Sequence, residues 1–342
     1  MSGDLRVLLV GAGRAGMVHG RNLAGGLRGA RLVSIADASR SAREQAAAEL
    51  GCQRTFSDPA AAVTDDAVDA VVVATPTFTH AEVVVPALEA GKHVLCEKPL
   101  AASLEEADRM AVAAASSRSV FLIGFMRRFD SAFTRAADRV AAGDIGRPLL
   151  VRSTGRGPGL PPEWAWDVSR SGGLIAEVNS HDLDTVRWMS GQEFVGVHAF
   201  GRAAKRPDLA ELHPGFVDVV VASFEMDGGA LAQVDGACPA GYGYDARAEV
   251  YGTEGTLLVG GPALPTPLLV RKGEAVTDPV AGWRDLFAEA YRAEVAHFLA
   301  AARGEEAPRT GVVDGVRALE AALAVNRSLA EGSTARIEDL RR

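Results

Sequence analysis

The feature that most constrains the fold is an apolar strand that runs directly into a glycine-rich turn near the start of the chain. Leu5–Val10 reads as a buried strand, and a stretch with helical composition follows the turn as far as Leu23. Three glycines at this spacing let the chain turn tightly, let a pyrophosphate approach the backbone, and let the helix pack on the strand. The pattern predicts a dinucleotide-binding turn made of Gly11, Ala12, Gly13, Arg14, Ala15 and Gly16.

The same alternation of strand and helix continues through the first third of the sequence. Further strands are predicted at residues 31–36, 69–74, 94–96 and 120–124, with helical segments between them. Strands that alternate with helices predict a parallel, doubly wound sheet with right-handed crossovers. A chain of 342 residues is too long for one ordinary core. We therefore predict an α/β protein with a nucleotide-binding domain at residues 1–125 and a second domain at 126–342. The terminal helices of the second domain are long enough in sequence to pack back on the first.

The second part of the chain is rich in β-forming segments separated by turns. Strands are predicted near residues 149–156, 194–202, 215–226, 229–238, 246–251 and 256–259. Terminal helices are predicted near 284–303 and 312–331, and exposed loops at 201–214 and 260–267.

Composition excludes several classes of function. The formal net charge is −8 and the basic residues are not clustered, so no nucleic-acid partner is expected. No apolar run approaches the roughly 18 residues of a membrane span, and no leader pattern precedes the first strand, so a cytoplasmic location and no membrane partner are expected. The three cysteines, Cys52, Cys96 and Cys238, lack metal-ligand spacing, and no metal site is expected.

A carboxylate at the end of the second strand points to the cofactor. Asp37 lies about 20 residues after the last glycine of the turn, where a carboxylate accepts hydrogen bonds from both ribose hydroxyls of adenosine. Its charge would repel a 2′-phosphate, which favours NAD over NADP. Arg40 leaves NADP open, because an arginine near this position pairs with a phosphate or stacks on adenine. The alternative for Asp37 is an N-cap of the next helix.

The turn after the third strand is a second candidate contact with the cofactor. Thr75, Pro76 and Thr77 lie at a strand's carboxyl end, where their backbone and hydroxyl groups can reach the nicotinamide ribose. His80 is included in this group, with the interpretation that it supports the following helix rather than reacts.

Charged residues at the next two strand ends are candidates for chemistry. Glu97 and Lys98 follow a short buried strand and are both candidate contacts with the cofactor. A lysine there can also hydrogen-bond a substrate hydroxyl. The alternative is a solvated strand end. Arg127, after the following strand, is a candidate for orienting a polyhydroxylated substrate, although paired arginines also commonly begin a solvated helix.

A helical segment after residue 171 supplies the second set of reactive groups. Glu177, His181, Asp184 and Trp188 fall at i, i+4, i+7 and i+11, which predicts one stripe of one continuous helix. A carboxylate one turn before a histidine can fix the imidazole and raise its basicity. Asp184 is interpreted as a structural tie, and Asn179 lies off the stripe. Trp164 and Trp166, in the loop before this helix, either contact the C–H faces of a sugar ring or pack internally.

These motifs together resemble the Gfo/Idh/MocA family of nicotinamide-dependent oxidoreductases. The resemblance rests on the glycine turn, Asp37, Thr75-Pro76, Glu97-Lys98-Pro99, the run from Gly124 to Asp130 and the run from Gly143 to Pro148, and it is nearest to the inositol dehydrogenase branch. It implies a C-terminal α/β domain with a large, mostly antiparallel sheet whose open face often makes the oligomer contact, hence a homo-oligomer, dimer or tetramer. It also implies that His181 is the acid/base and Glu177 its partner, at a position where Asp is usual. Gly157 replaces the acidic residue of an Arg-Asp-Pro turn, which puts inositol itself in doubt.

The expected activity is an NAD-dependent transfer of hydride between nicotinamide and a secondary hydroxyl or ketone of a cyclic polyol or sugar. In this scheme Lys98 hydrogen-bonds the reacting oxygen and links it to the cofactor ribose, while His181 exchanges the proton. Two alternatives stay open. One is a redox-neutral enzyme that recycles bound NAD during reactions of glycosides, and the other is a non-catalytic dinucleotide sensor.

Overall fold

A computed structural model describes residues 4–262, 269–271, 274–276 and 279–341. The chain divides into two compact units. The first comprises the residues up to Phe129 together with Glu289–Leu319, and the second comprises Asp130–Ala288 and Glu320–Arg342. The predicted boundary between residues 125 and 126 falls four residues before this division, and a C-terminal segment belongs to the first unit.

The strands, in chain order, are β1 (Leu5–Val10), β2 (Ala30–Ala36), β3 (Thr55–Phe56), β4 (Ala70–Val73), β5 (His93–Glu97), β6 (Phe121–Gly124), β7 (Pro148–Arg156), β8 (Phe194–Arg202), β9 (Val219–Met226), β10 (Leu231–Ala237), β11 (Asp245–Gly252), β12 (Thr256–Gly261), β13 (Leu269–Arg271), β14 (Glu274–Val276) and β15 (Ala335–Arg336). The helices are α1 (Arg14–Ala24), α2 (Arg40–Leu50), α3 (Pro59–Val63), α4 (His80–Glu89), α5 (Leu104–Ser116), α6 (Ser131–Ala141), α7 (Val168–Ser171), α8 (Gly173–Glu177), α9 (Ser180–Ser190), α10 (Pro207–Leu212), α11 (Trp283–Leu286), α12 (Ala288–Ala302) and α13 (Val312–Glu331).

The first unit is built on a six-stranded sheet in the order β3-β2-β1-β4-β5-β6. Every neighbouring pair in it is parallel. This is the strand order of the Rossmann fold, and it confirms the predicted doubly wound sheet. The central strands are predominantly apolar because helices cover both faces of a parallel sheet, and Val7, Leu9, Val72 and Leu95 are completely buried.

A helix from the far end of the sequence completes the core of this unit. Val295, Phe298 and Leu299 of α12 are fully buried in the same apolar cluster as Val7 and Leu9 of β1. Their spacing of three and four residues presents one apolar face of the helix to the sheet. This packing explains why Glu289–Leu319 belongs to the first unit.

The second unit is built on a seven-stranded sheet in the order β12-β11-β7-β10-β9-β8-β15. The β7–β10 pair is parallel and the other pairs are antiparallel. The predicted large, mostly antiparallel sheet is confirmed. Helix α9 covers one face, where Ser153 of β7 donates a hydrogen bond to Asp182 (Oγ to Oδ1, 2.6 Å).

Several local predictions need correction. The short elements β3 and α3 were not predicted, because two to five residues are too few to show a period. The region 201–214, predicted as a loop, contains α10, whose first turn begins with Pro207. Helix α4 runs from His80 to Glu89 and contains Pro86 in its interior. The predicted loop at 260–267 lies partly outside the described residues. Among the described helices, none combines the length and the apolar character needed to cross a bilayer.

Candidate functional site

The predicted residues of the first unit gather at one edge of its sheet. In the strand register, Val10 pairs with both Ala36 and Val73, and Val73 pairs with Cys96. Glu97 in turn pairs with Gly124. Because the strands are parallel, the glycine turn, Asp37, Thr75, Lys98 and Arg127 all follow carboxyl ends on this edge, which is where open α/β sheets bind ligands.

The three glycines of the turn differ in what an added Cβ atom would meet. Gly11 has a φ of +92°, and a Cβ there would lie 2.5 Å from the carbonyl oxygen of Ala74. A Cβ on Gly16 would collide with the carbonyl oxygen of Gly11, so Gly16 permits the close approach of α1 to the strand. A Cβ on Gly13 would meet no atom within 4 Å. Gly13 is the N-cap of α1 and offers no side chain to the first amides of the helix. This cradle fits the pyrophosphate of a dinucleotide.

The carboxylate of Asp37 is directed back to the glycine turn. Its Oδ2 accepts a hydrogen bond from the Ala12 amide and its Oδ1 accepts one from the Ser39 amide, both at 2.7 Å. Ser39, and not Asp37, is the N-cap of α2, so the capping alternative for Asp37 is wrong. Arg40 is exposed and pairs with Glu44 at 2.7 Å. The negative charge of Asp37 beside the glycine turn favours NAD over NADP.

His80 joins two of the turns at this edge. Its Nδ1 lies 2.9 Å from the Pro99 carbonyl oxygen and its Nε2 lies 3.0 Å from that of Thr75. The side chain is buried, and this burial lowers the pKa of the imidazole despite the nearby carbonyl groups. Both ring nitrogens therefore face backbone carbonyl oxygens. This geometry fits the supporting interpretation of His80 and leaves its ring no nitrogen for the cofactor.

Glu97 and Lys98 differ in their surroundings. The Glu97 side chain is buried, and its Oε1 lies 2.6 Å from Nε2 of His19. Its Oε2 accepts a hydrogen bond from the Lys98 amide at 3.2 Å. The carboxylate is thus engaged in the core, and the assignment of Glu97 to the cofactor stays a prediction. Lys98 is half-buried at the strand end.

The paired arginines after β6 have separate environments. Arg127 is almost completely buried, at 1% exposure. Arg128 forms an ion pair with Asp314 at 2.9 Å, which ties the turn after β6 to the start of α13. The alternative of a solvated arginine pair is therefore wrong. Arg127 stays the candidate for substrate, as predicted.

The histidine segment of the second unit is broken into two helices. Helix α8 ends at Glu177 and α9 begins at Ser180, so the prediction of one continuous helix is wrong. Glu177 therefore does not share a regular helical stripe with His181. His181 and Asp184 are buried, whereas Glu177 and Trp188 are half-buried.

Asn179 explains the break. It is fully buried at the N-cap of α9, and its side-chain amide donates to the Asp182 carboxylate at 2.8 Å and to the Gly155 carbonyl oxygen at 3.3 Å. A Cβ on Gly155 would collide with Asp182, and one on Gly236 would collide with Asn179. These two glycines let the start of α9 rest on the sheet, which holds the backbone of His181.

Trp164 and Trp166 both lie in a short 3₁₀ turn, Glu163–Trp166. The indole N–H of Trp166 donates to the Pro161 carbonyl oxygen at 3.1 Å, and its ring packs edge-on against His213. The polar atom of Trp166 is therefore used internally. Trp164 is half-buried.

Two buried ionisable residues beside Glu97 were missed. His19 and Glu294 are completely buried, on the inner faces of α1 and α12. His19 lies three residues after Gly16 and four before Leu23, and Glu294 lies between Tyr291 and Phe298. An ionisable residue at a core position of an amphipathic helix was the available signal.

Comparison with known proteins agrees with this geometry. The model of the Gfo/Idh/MocA oxidoreductase family, described as an NAD-binding Rossmann fold, matches residues 5–125, and the model of that family's C-terminal domain matches residues 133–258. The chain belongs to this family. The predicted resemblance, the oxidoreductase class and NAD as the cofactor are thereby confirmed.

Relatives within the Gfo/Idh/MocA family match over nearly the full chain. A scyllo-inositol 2-dehydrogenase (NAD(+)) of Bacillus subtilis is 34% identical, covering 99% of this chain and 98% of its own. A myo-inositol 2-dehydrogenase of Thermotoga maritima is 32% identical, with coverages of 98% and 99%. The crystal structure of a scyllo-inositol dehydrogenase from Lactobacillus casei with bound NAD(H) and scyllo-inositol has a TM-score of 0.90 at 26% identity, covering 98% and 99% of the two chains.

Proposed function

We propose that this protein is an NAD-dependent dehydrogenase that oxidises one secondary hydroxyl of an inositol, or reduces the matching ketone. The observation that carries the proposal is the match to inositol 2-dehydrogenases over almost the whole of both chains. The strand-edge cradle at Gly13 and the carboxylate of Asp37 support NAD as the partner in the reaction.

The roles of the residues follow from the chemistry of alcohol oxidation, in which bound NAD supplies the hydride acceptor. Lys98 would hydrogen-bond the reacting oxygen, and His181 would take up its proton. Glu177 would support His181 from the preceding helix. Arg127, Trp164 and Trp166 are proposed to orient the ring of the substrate.

The choice among inositol isomers is expected to depend on Gly157, which stands where the resembling turn has an acidic residue. Its amide donates to the Ala237 carbonyl oxygen at 3.0 Å, and its own carbonyl accepts from Ala240. A Cβ there would lie 3.1 Å from Sγ of Cys238. The position offers no carboxylate to a substrate hydroxyl, and the neighbouring Arg156 pairs instead with Asp235 at 2.6 Å.

The test is NADH formation by the purified protein with a panel of single substrates, namely myo-inositol, scyllo-inositol, other inositol isomers and monosaccharides. We expect net, stoichiometric NADH release with at least one inositol. Its kcat/KM should be higher than that of any open-chain sugar or any sugar with a five-membered ring. Cofactor binding without turnover on the whole panel would favour a sensor. Turnover without net NADH release would favour a redox-neutral enzyme.

We also propose a homo-oligomer joined through the open face of the second unit's sheet. The register places Leu258 opposite Glu249 and Tyr251 opposite Leu150, and Leu231 pairs with Leu150 from the other side. These side chains therefore share the face opposite α9. Leu258 is 75% exposed and Leu231 57% exposed. Adjacent exposed apolar side chains on one surface are typical of interaction sites.

Leu258→Glu is expected to weaken this association, because it would bury an unpaired charge at an apolar contact. Light scattering after size-exclusion chromatography should show a smaller species than the wild type at the same concentration. The matched control is Val112→Glu, a similarly exposed apolar residue on α5 of the other unit, which should keep the wild-type mass. A wild-type protein that is already monomeric would refute the proposed oligomer.

A further inference from the structure

Three ionisable side chains meet in the core of the first unit, next to Lys98. They are His19 of α1, Glu97 at the end of β5 and Glu294 of α12, with exposures of 0%, 6% and 0%. One polar atom from each lies within 4.8 Å of the other two. The proposed mechanism gives no task to His19 or Glu294.

Glu97 is well supplied with hydrogen-bond donors. His19 contacts Oε1 at 2.6 Å, and the Lys98 amide donates to Oε2 at 3.2 Å. Burial alone would raise the pKa of Glu97, but the hydrogen bond and charge of His19, with the charge of Lys98, hold this pKa below its ordinary value. A Cβ on Gly124 would lie 3.3 Å from the same carboxyl group, so the strand next to it leaves little room for movement. Glu97 is ionised and fixed.

Glu294 is in the opposite situation. Both of its carboxyl oxygens are buried, and neither has a hydrogen-bond partner among the described residues. Burial, and then the charge of Glu97, raise the pKa of Glu294 well above its ordinary value. A second ionised carboxylate here would be an uncompensated buried charge beside another of the same sign.

We propose that Glu294 is protonated in the folded protein and shares its proton with the Glu97 carboxylate, directly or through one water, so that it is a positioning residue for the Glu97-Lys98 backbone. A carboxylic acid is the one form of this side chain that can donate to Glu97. Together with His19 it would fix the carboxylate whose Oε2 holds the Lys98 amide. The consequence for Lys98 rests on the proposed function, whereas the protonation of Glu294 does not.

A bound metal ion is the competing explanation for three such residues. Two ligands of one tetrahedral zinc ion at ordinary bond lengths lie about 3.3 Å apart. The 2.6 Å between His19 and Glu97 is a hydrogen-bond distance and is too short for that geometry. A metal would also need both carboxylates ionised. The geometry therefore favours a shared proton.

The first test measures the proton itself, from the pH dependence of unfolding in urea between pH 5 and 8 for the wild type and Glu294→Gln. In the unfolded chain Glu294 loses its proton above its ordinary pKa, and in the folded chain it keeps the proton. Folding thus binds one extra proton, and the wild type's unfolding constant should rise tenfold per pH unit relative to that of Glu294→Gln. This rise should level off at the folded pKa.

The other titrating groups cancel in this comparison. Glu97 and His19 face Glu294, Lys98 follows Glu97, and Tyr291 packs its ring on His19; all four are present in both proteins. The matched control is Glu289→Gln, the same change at an exposed position on α12, which should keep the wild-type slope. A flat ratio between wild type and Glu294→Gln would overturn the proposal, as would one equivalent of divalent metal per chain in the purified protein.

The second test concerns positioning and uses the most active inositol. Glu294→Ala should lower kcat at least tenfold with a smaller change in the KM for NAD, and Glu294→Gln, which keeps a donor, should restore most of the loss. Equal kcat in wild type and Glu294→Ala would overturn the positioning role. If the wild type oxidises no inositol, the proposed function fails while the unfolding measurement still decides whether Glu294 is protonated.

Discussion

Replacement of Lys98 by methionine is expected to lower kcat for inositol oxidation by about 10²- to 10⁴-fold, the range of a positioned acid–base group. Methionine keeps the length and apolar stem of lysine but has neither its charge nor its donors. The dissociation constant for NAD should change by less than about tenfold, because the glycine turn and Asp37 are untouched. Stopped-flow and steady-state kinetics with separate NAD titrations would measure both quantities.

The same change at Lys205, an exposed lysine of the second unit, is the matched control and should leave kcat unaltered. His181→Ala should lower kcat to a similar extent and remove one limb of its pH profile, while Lys98→Met should retain that limb. Near-normal turnover of His181→Ala would show that this histidine is not the proton acceptor. Normal turnover of Lys98→Met would refute the proposed site in the first unit.

Gly16→Ala and Gly13→Ala are expected to affect different properties. The first should lower the free energy of unfolding, and the second should lower the affinity for NAD. At Gly16 the new Cβ would collide with backbone of the glycine turn, which cannot rotate away as a side chain can. Overpacking of this kind typically costs about 1–3 kcal/mol, and we expect the upper end of that range in the free energy of unfolding. Urea unfolding followed by circular dichroism would measure it.

Gly13→Ala is the partner variant, since its backbone has a φ of −77°, which alanine adopts freely. The free energy of unfolding should stay within about 0.5 kcal/mol of the wild type. Affinity for NAD, measured by calorimetry, should fall at least tenfold, because the methyl group enters the pyrophosphate cradle. Unchanged affinity in Gly13→Ala would show that the dinucleotide does not approach the chain there.

The sequence was a good guide wherever the constraint on the backbone is local. Leu5–Val10 is the first strand as predicted, because an uninterrupted apolar run bounded by a glycine turn has few alternatives in an α/β chain. The break between α8 and α9 was not predicted, because the apolar pattern continues through it. Its cause is Asn179, whose amide bonds to strand residues distant in sequence.

The candidate site shows the same contrast between local features, which the sequence predicts, and contacts between distant residues, which it does not. Asp37 was placed correctly at a strand end, but its two amide partners, Ala12 and Ser39, depend on how β2 and the glycine turn meet. The partnership of His19 with Glu97 joins residues 78 positions apart, so no local pattern connects them. The sequence therefore did not indicate that the Glu97 carboxylate is engaged with His19 in the core.

The bridge made by His80 has a consequence for how the two turns behave. A neutral imidazole carries a single hydrogen on nitrogen, yet this ring lies between the Thr75 and Pro99 carbonyl oxygens, which both require a donor. Each tautomer therefore tethers one turn and presents a lone pair to the other. Tautomer exchange within the buried ring would transfer the tether between the Thr75 turn and the segment after Lys98.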